Sequence, residues 1–300
     1  MNTHDTDAWK SRVLDEVFQA IAESREIVDA LVFKGARVLN LRLGSGRQSL
    51  DLDSNFRPCF VVTHAERDVQ RKFLERELTR AIRRYFERQN PVRLQLDRIK
   101  VLPPNDLRKH PLGWDAFEVR MNIKDLSRNV LGLPAITIDI AAPEELLVTS
   151  ISRLAVGAQE VYAYSLERIA GEKLRAFLST LPTYREKMKK PGEAVRVKDL
   201  YDLARILQTR PLSDEPFWII ASAEFRLASK SRYVDCAGLS TFKEAWDITQ
   251  KSYAATTIPK DISFDQASEA LALIVHFVET AGIIPFSFPL PTDTQDTSRT

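Results

Sequence analysis

The hydrophobic periodicity of this 300-residue chain changes part-way along it, and that change limits the fold more than any other feature. In the first half, strand-like and helix-like segments are interleaved. Ile27 to Phe33 reads as the approach to a strand whose core is Leu31-Val32-Phe33. Ser49 to Phe56 alternates polar and apolar, as a half-buried strand does. Val92 to Val101 and Trp114 to Ile123 read as two more strands, separated by Pro103, Pro104 and Pro111, and Leu133 to Ala141 is another, centred on Ile136-Thr137-Ile138. Helical spacing marks Asp7 to Glu23 (Val13, Val17, Phe18, Ile21), the short segment Arg37 to Leu43, and Glu66 to Arg88. The last carries the stripe Val69, Phe73, Leu78, Ile82, Tyr85 and Phe86.

From Glu144 on, the pattern becomes helical almost without interruption. These readings predict an α/β (α+β) amino-terminal core over residues 1–145 and a mainly helical domain over 146–283, the transition falling near 142–160. Ser263-Phe264-Asp265-Gln266 has capping-box spacing before an apolar run that ends near Val278. Residues 284–300 are rich in Pro, Ser, Thr and Asp and are expected to form a flexible tail.

Composition removes several classes. Lys and Arg number 43 against 41 Asp and Glu, a net charge of +2, so the chain is not basic throughout as a nucleic-acid wrapper is. The charge is unevenly spread, however. Residues 65–109 hold 13 basic against 7 acidic residues, and residues 167–198 hold 9 against 4. Such stretches fit either solvated helix faces or a surface for polyphosphate. Two cysteines, Cys59 and Cys236, are too few for a disulfide framework and are expected as free thiols. The polar, acidic start and the lack of a long apolar run predict a cytoplasmic protein without a membrane span. His4, His64, His110 and His276 lack zinc-ligand spacing, and neither a Walker loop nor a G-x-S-x-G elbow occurs.

The chemistry concentrates in a few places. In Ser49-Leu50-Asp51-Leu52-Asp53 the two carboxylates stand at i and i+2, so on a strand they share a face opposite Leu50 and Leu52. Such a pair suits Mg²⁺, a hard cation that takes oxygen ligands and phosphate partners; it also fits a merely exposed acidic strand face. Asp139 interrupts the apolar strand Ala135 to Ile140, where an ionised carboxylate is costly unless a cation is shared or the strand end is solvated. Lys34-Gly35 closes one strand and opens a helix, whose free N–H groups suit a phosphate, though an ordinary turn looks the same. Arg47, in the loop Gly44 to Gln48, is a further candidate phosphate ligand. Lys173 interrupts the apolar stripe Leu166, Ala170, Phe177 of the helix Tyr164 to Leu178. It fits a snorkelling side chain or a phosphate-binding one. Asp199 and Asp202, at i and i+3 of Arg196 to Leu203, share one side of a helix, with Asp199 nearer the packed face.

Four stretches in order resemble the AbiEii toxin family of nucleotidyltransferases: Leu31 to Ala36, Arg47-Gln48-Ser49-Leu50-Asp51-Leu52-Asp53, Glu172-Lys173-Leu174, and Arg196-Val197-Lys198-Asp199-Leu200-Tyr201-Asp202-Leu203. The resemblance implies the nucleotidyltransferase fold, a mixed sheet with flanking helices, followed by a helical domain that contributes Lys173 and Asp199. It implies transfer of a nucleoside monophosphate from an NTP to an acceptor, a tRNA end above all or else a protein, with release of pyrophosphate, and a cognate antitoxin as partner. Asp51, Asp53 and Asp139 would hold Mg²⁺. Asp51, Asp53, Lys173 and Asp199 would be catalytic, and Lys34, Gly35, Arg47, Ser49, Lys173 and Asp202 would bind the nucleotide. The chain departs from the family at Ala36-Arg37, where Gly then Ser or Thr is usual. That departure keeps open a non-catalytic member that binds RNA or protein. A housekeeping nucleotidyltransferase is the other alternative.

Overall fold

The structure, a computed structural model, describes residues 3–44, 49–103, 116–127, 133–141 and 144–291. Helix α1 (Thr3–Ala22) opens the chain and α2 (Arg25–Ala30) leads into strand β1 (Leu31–Lys34). Helix α3 (Gly35–Leu43), β2 (Leu52–Phe56), α4 (Pro58–Thr63) and α5 (Arg67–Glu87) follow. Then come β3 (Leu94–Leu102), β4 (Phe117–Asp125), β5 (Ile136–Ala141), β6 (Ile151–Val156) and β7 (Gln159–Tyr164). The remaining elements are helices: α6 (Leu166–Leu178), α7 (Pro182–Lys187), α8 (Val197–Thr209), α9 (Glu215–Arg232), α10 (Leu239–Phe242), α11 (Trp246–Ala255) and α12 (Phe264–Thr280).

Among the described residues, seven strands join one mixed sheet in the order β3-β4-β5-β2-β1-β7-β6. The pairs β2–β5 and β1–β7 are parallel and the others antiparallel. Period-2 alternation sets its two faces. In β4, Phe117, Val119, Met121 and Ile123 are buried; in β5, Ile136, Ile138 and Ile140 are. Helices α1 and α5 supply the matching apolar stripes, Val13, Leu14, Val17, Phe18 and Ile21 from one, Leu74, Leu78, Ile82 and Phe86 from the other. Trp9 of α1 adds a polar anchor, its indole N–H donating to Asp125 at 3.0 Å. The polar members of the alternation, including Asp53, Asp139 and Glu118, therefore stand on the opposite face.

Two readings from the sequence need correction. Arg25–Ala30 is helical, and the extended segment is confined to Leu31–Lys34. Ile27, Val28 and Ala30 are buried from a single helical turn and a half, too short a span for a 3.6-residue period to stand out against a strand's. The second correction is larger. The stretch after Glu144 is not helical at once, because β6 and β7 form a hairpin that extends the sheet. Its turn starts at Gly157, with φ of +60°, a conformation that suits glycine. The chain accordingly separates into two compact units after Ile169, inside α6, rather than near residue 145. The described strand β2 also starts at Leu52, later than Ser49.

The second unit, from Ala170 on, is helical. Its capping box forms as expected, Gln266 N–H donating to Ser263 Oγ at 3.2 Å and Ser263 N–H donating to Gln266 Oε1 at 2.8 Å. Cys59 and Cys236 are both free thiols. Among the described residues no helix is long and apolar enough to cross a membrane.

Gly171 fixes how closely α6 meets α9. A Cβ there would lie 2.5 Å from the backbone nitrogen of Phe225 and 2.9 Å from the carbonyl oxygen of Ala221. Backbone atoms cannot swing aside, so the helices must part. Gly171→Ala should therefore destabilise the second unit by about 1–3 kcal/mol, even though alanine is the better helix former by about 1 kcal/mol. Urea denaturation checks this; an unchanged or raised midpoint would refute the close contact.

Candidate functional site

The site begins with the strand alternation that puts Leu52 into the core. Leu52 is fully buried, so its neighbours Asp51 and Asp53 turn the other way. Asp53 stands opposite Asp139 on parallel β5 and opposite Lys34 on antiparallel β1. Glu118 on β4 stands opposite Asp139 in turn. Four strands thus contribute one row across the sheet: Lys34, Asp53, Asp139, Glu118. Asp51, just before β2, closes on the same place. Carboxylate oxygens of Asp51, Asp53 and Asp139 lie within 4.8 Å of one another, Asp51 exposed and the other two half-buried. The oxygen donor set and its partial solvent access suit a hard divalent cation that retains waters and accepts phosphate oxygens.

Gly35 answers two demands at once. Its φ is +77°, and a Cβ there would fall 1.9 Å from Asp53 Oδ2. No other residue fits without driving Asp53 from its place. The backbone of Lys34-Gly35 opens α3 directly beside the carboxylates. Lys34 itself is held from behind. Its ammonium lies 3.8 Å from Glu144 Oε1 and 5.5 Å from the centre of the Tyr164 ring. Glu144 is buried and also accepts from Arg168 at 3.0 Å and from the Tyr164 hydroxyl at 3.3 Å, while Asn55 Nδ2 donates to that hydroxyl at 2.6 Å.

Ser49 Oγ donates to Asp51 Oδ1 at 3.0 Å and to the Asp51 carbonyl at 3.1 Å, so it orients a carboxylate. The Ser49 carbonyl accepts from Arg37 at 2.6 Å, and the same guanidinium pairs with Asp15 of α1. Burial lowers the Arg37 pKa; Asp15 and Asp51 act against that shift. The unexpected Arg37 is thus a buried clamp on the segment that leads into β2. Arg47 lies outside the described residues.

Lys173, Asp199 and Asp202 meet within the second unit. The Lys173 ammonium lies 2.7 Å from Asp199 Oδ1 and 2.7 Å from Asp202 Oδ2, and Arg196 Nε lies 2.7 Å from Asp199 Oδ2. All three members of the triad are buried, and the two aspartates are equally so. The greater burial expected for Asp199 is therefore not seen. Burial pushes the Asp199 carboxyl up, but Arg196 and Lys173 outweigh it and hold the group well below the usual carboxylate range. Its place in the first turn of α8 also suits a negative charge.

Comparison with known proteins identifies the family and the fold. Residues 20–273 match the family model for the nucleotidyl transferase AbiEii toxin, Type IV TA system. The chain belongs to the AbiEii nucleotidyltransferase toxin family. Solved structures share its fold. JHP933 from Helicobacter pylori is 14% identical with a TM-score of 0.53, covering 90% of this chain and 92% of its own. MenT4, a nucleotidyltransferase toxin from Mycobacterium tuberculosis, is 16% identical with a TM-score of 0.50, covering 91% of this chain and 84% of its own. None of the curated proteins matches the sequence.

In this AbiEii-family chain, sequence reasoning missed Glu118, Glu144, Arg168, Tyr164 and Asn55. Glu118 was in principle legible, since it occupies the same alternation class as Arg120 and Asn122 in β4. Glu144 carries no such signal, because it follows β5 in irregular chain and meets its partners only through the fold. The basic stretch around α5 also reads differently in three dimensions. Arg71 pairs with Asp68 and Glu75, Arg76 and Arg80 with Glu77, and Arg88 with Glu23.

Two outcomes test the geometry. Gly35→Ala should abolish nucleotidyl transfer while the protein remains folded by circular dichroism; retained activity would show that Asp53 can move freely. Lys173→Met removes the ammonium that both buried carboxylates share and should cost about 3–5 kcal/mol in urea denaturation. A depressed folded-state pKa stabilises above the unfolded value and loses that stabilisation as pH falls through the folded one. The Asp199 contribution should therefore be complete at neutral pH and persist into strong acid, whereas Lys173→Met should lose stability at a higher pH than the wild type. Identical acid-unfolding midpoints would refute it.

Proposed function

We propose that this AbiEii-family nucleotidyltransferase uses Mg²⁺ to transfer a nucleoside monophosphate from an NTP to an RNA acceptor of the tRNA class. The observation that carries this reading is the convergence of Asp51, Asp53 and Asp139 beside the Lys34-Gly35 backbone. A cation among like charges so close relieves their repulsion, and all three offer oxygen. Asp51, Asp53 and Asp139 would hold the ion, which supplies charge neutralisation for the triphosphate and the leaving pyrophosphate.

The chain's own groups do the rest. Gly35 lets the nucleotide phosphates approach the start of α3, and Lys34, steadied by Glu144, adds positive charge beside them. Ser49 keeps Asp51 aimed. Asp139 accepts the proton of the acceptor hydroxyl as its oxygen attacks the α-phosphorus. The bond from that phosphorus to the β-phosphate oxygen breaks, and pyrophosphate leaves with the electron pair. Positioning and electrostatics supply most of the rate enhancement in such chemistry. Lys173, Asp199 and Asp202 enter through their family motif: Lys173 is assigned to the triphosphate, with both aspartates fixing its ammonium. We place the activity in the cytoplasm, where NTPs and tRNA are abundant, under control of a cognate antitoxin.

Purified protein incubated with Mg²⁺, total tRNA and each labelled NTP in turn should label RNA from at least one nucleotide. Asp53→Ala should lower the rate by about a thousandfold or more, the scale of losing a transition-state charge stabiliser. Absence of transfer from every nucleotide, or undiminished transfer by Asp53→Ala, would sink the reading.

A further inference from the structure

The acid row has a nucleotide side and an opposite side, and the opposite side is basic. Lys34 and Gly35 stand on β1, next to β2; beyond β5 come β4 and β3, the outer two strands at that edge. On their open face the register sets Leu102 against Glu118, Lys100 against Arg120 and Arg98 against Asn122. A β-bulge between Leu96 and Arg98 makes this possible. Leu96 is buried on the helix-covered face, so strict alternation would turn Arg98 inward as well. The extra residue Asp97 resets the alternation, leaving Arg98 and Lys100 exposed on the same face as Asp139.

Pairing decides which of these charges is available. Asp97 lies 2.7 Å from Lys124, and Glu118 pairs with Arg120. Arg98 and Lys100 have no carboxylate partner among the described residues. On α5, by comparison, Arg71, Arg76 and Arg80 pair with nearby carboxylates, and the helix packs on the other face of the sheet. The uncompensated positive charge of this edge therefore sits on the same sheet face as Asp139, two strands away from it on β3. Charges on an edge strand also deter pairing with another chain, but either sign serves that purpose, and here the unpaired ones are both positive.

We propose that the open face of β3 and β4 is the docking surface for the phosphodiester backbone of the acceptor RNA, with Arg98 and Lys100 as its principal phosphate contacts. The inference rests on the nucleotidyltransferase reading given above. In-line displacement puts attacking and leaving oxygens on opposite sides of the α-phosphorus. With the phosphates of the NTP on the β1 side, the acceptor hydroxyl reaches the phosphorus from the β5–β4 side, beside Asp139. The backbone leading to that hydroxyl then crosses β4 and β3. Side chains two residues apart repeat about every 7 Å along a strand, and the strands lie about 4.8 Å apart, so the surface offers several cations within one short run of phosphates.

The full-length protein and two double variants, Arg98→Gln/Lys100→Gln and Arg83→Gln/Arg84→Gln, would be compared for binding of labelled total tRNA over a salt series. The second pair lies on the exposed side of α5 and changes the net charge equally. Circular dichroism confirms folding, and both pairs are surface residues. The wild type should bind with strong salt dependence. Loss of Arg98 and Lys100 should weaken binding about tenfold or more and flatten the salt slope by about one to two; loss of Arg83 and Arg84 should change little. Unchanged binding by the Arg98/Lys100 variant, equal loss in both variants, or no RNA binding by the wild type would overturn the surface. Nucleotide transfer measured in parallel separates the two proposals. Transfer to RNA undiminished in the Arg98/Lys100 variant refutes the surface and leaves the enzyme. RNA binding that depends on Arg98 and Lys100, with no transfer from any NTP, supports the surface and refutes the enzyme reading. Label recovered in protein instead of RNA, in wild type and variants alike, overturns the surface.

Discussion

Mutual repulsion among Asp51, Asp53 and Asp139 is the constraint around which the first unit is arranged. At such separations each pair of charges is unfavourable by on the order of a few kcal/mol near a protein surface. Side chains on flexible loops would relax by drifting apart. Two of the three stand instead on adjacent parallel strands inside a seven-stranded sheet, where backbone hydrogen bonds fix their spacing. The third is tied down by Ser49, whose carbonyl is in turn held by the buried Arg37. Gly35 packs its bare Cα against Asp53 from the other side. The sheet thus fixes the three carboxylates where a cation can join them, and its apolar contacts with α1 and α5 hold that arrangement.

The surrounding positive charges are held with equal care. Lys34 lies next to the carboxylates in register yet is tethered behind them by Glu144, which is shared with Arg168 and Tyr164. A buried carboxylate between two cations is stable. The network thereby limits the travel of Lys34. Arg37 shows the same logic applied to a departure from the family pattern. The methyl of Ala36 and the bulk of Arg37 stand where small residues are usual, but the guanidinium turns toward Asp15 and the strand backbone, so the residue reinforces the site's scaffold.

The legible part of this protein was the part written in local periodicity. Alternation around Leu52 placed Asp51 and Asp53 on one face, and the apolar setting of Asp139 marked it as a residue needing a partner; the sheet then supplied that partner. Helices with full stripes, α1 and α5, were equally plain. What escaped was structure specified by few residues or by distant ones. The hairpin of β6 and β7 has only six residues per strand, and its alternation was overshadowed by the helical pattern that follows. Glu144, Arg168 and Asn55 converge from separate segments, and no spacing rule links them. Lys173 and Asp199 were recognisable by motif, yet their mutual ion pair, with Asp202 as an equal member, depends on two helices facing each other.

Charge shows most clearly why counting along a chain differs from reading a surface. The densest basic stretch in the sequence includes α5, but a helix brings residues three and four apart together, and its acidic members pair with Arg71, Arg76 and Arg80. A strand does the reverse. Its side chains alternate between faces, so Arg98 and Lys100 come to the same side while the intervening Ile99 goes to the other, and no i+4 partner reaches back to them. A few lysines and arginines on a strand can therefore present more uncompensated charge than many on a helix. The bulge at Asp97 decides the matter here, since one inserted residue chooses whether Arg98 faces the core or the same open side as Asp53 and Asp139. The near-neutral total of the chain conceals this asymmetry because opposite charges that pair on a helix and like charges that align on a strand contribute equally to the sum.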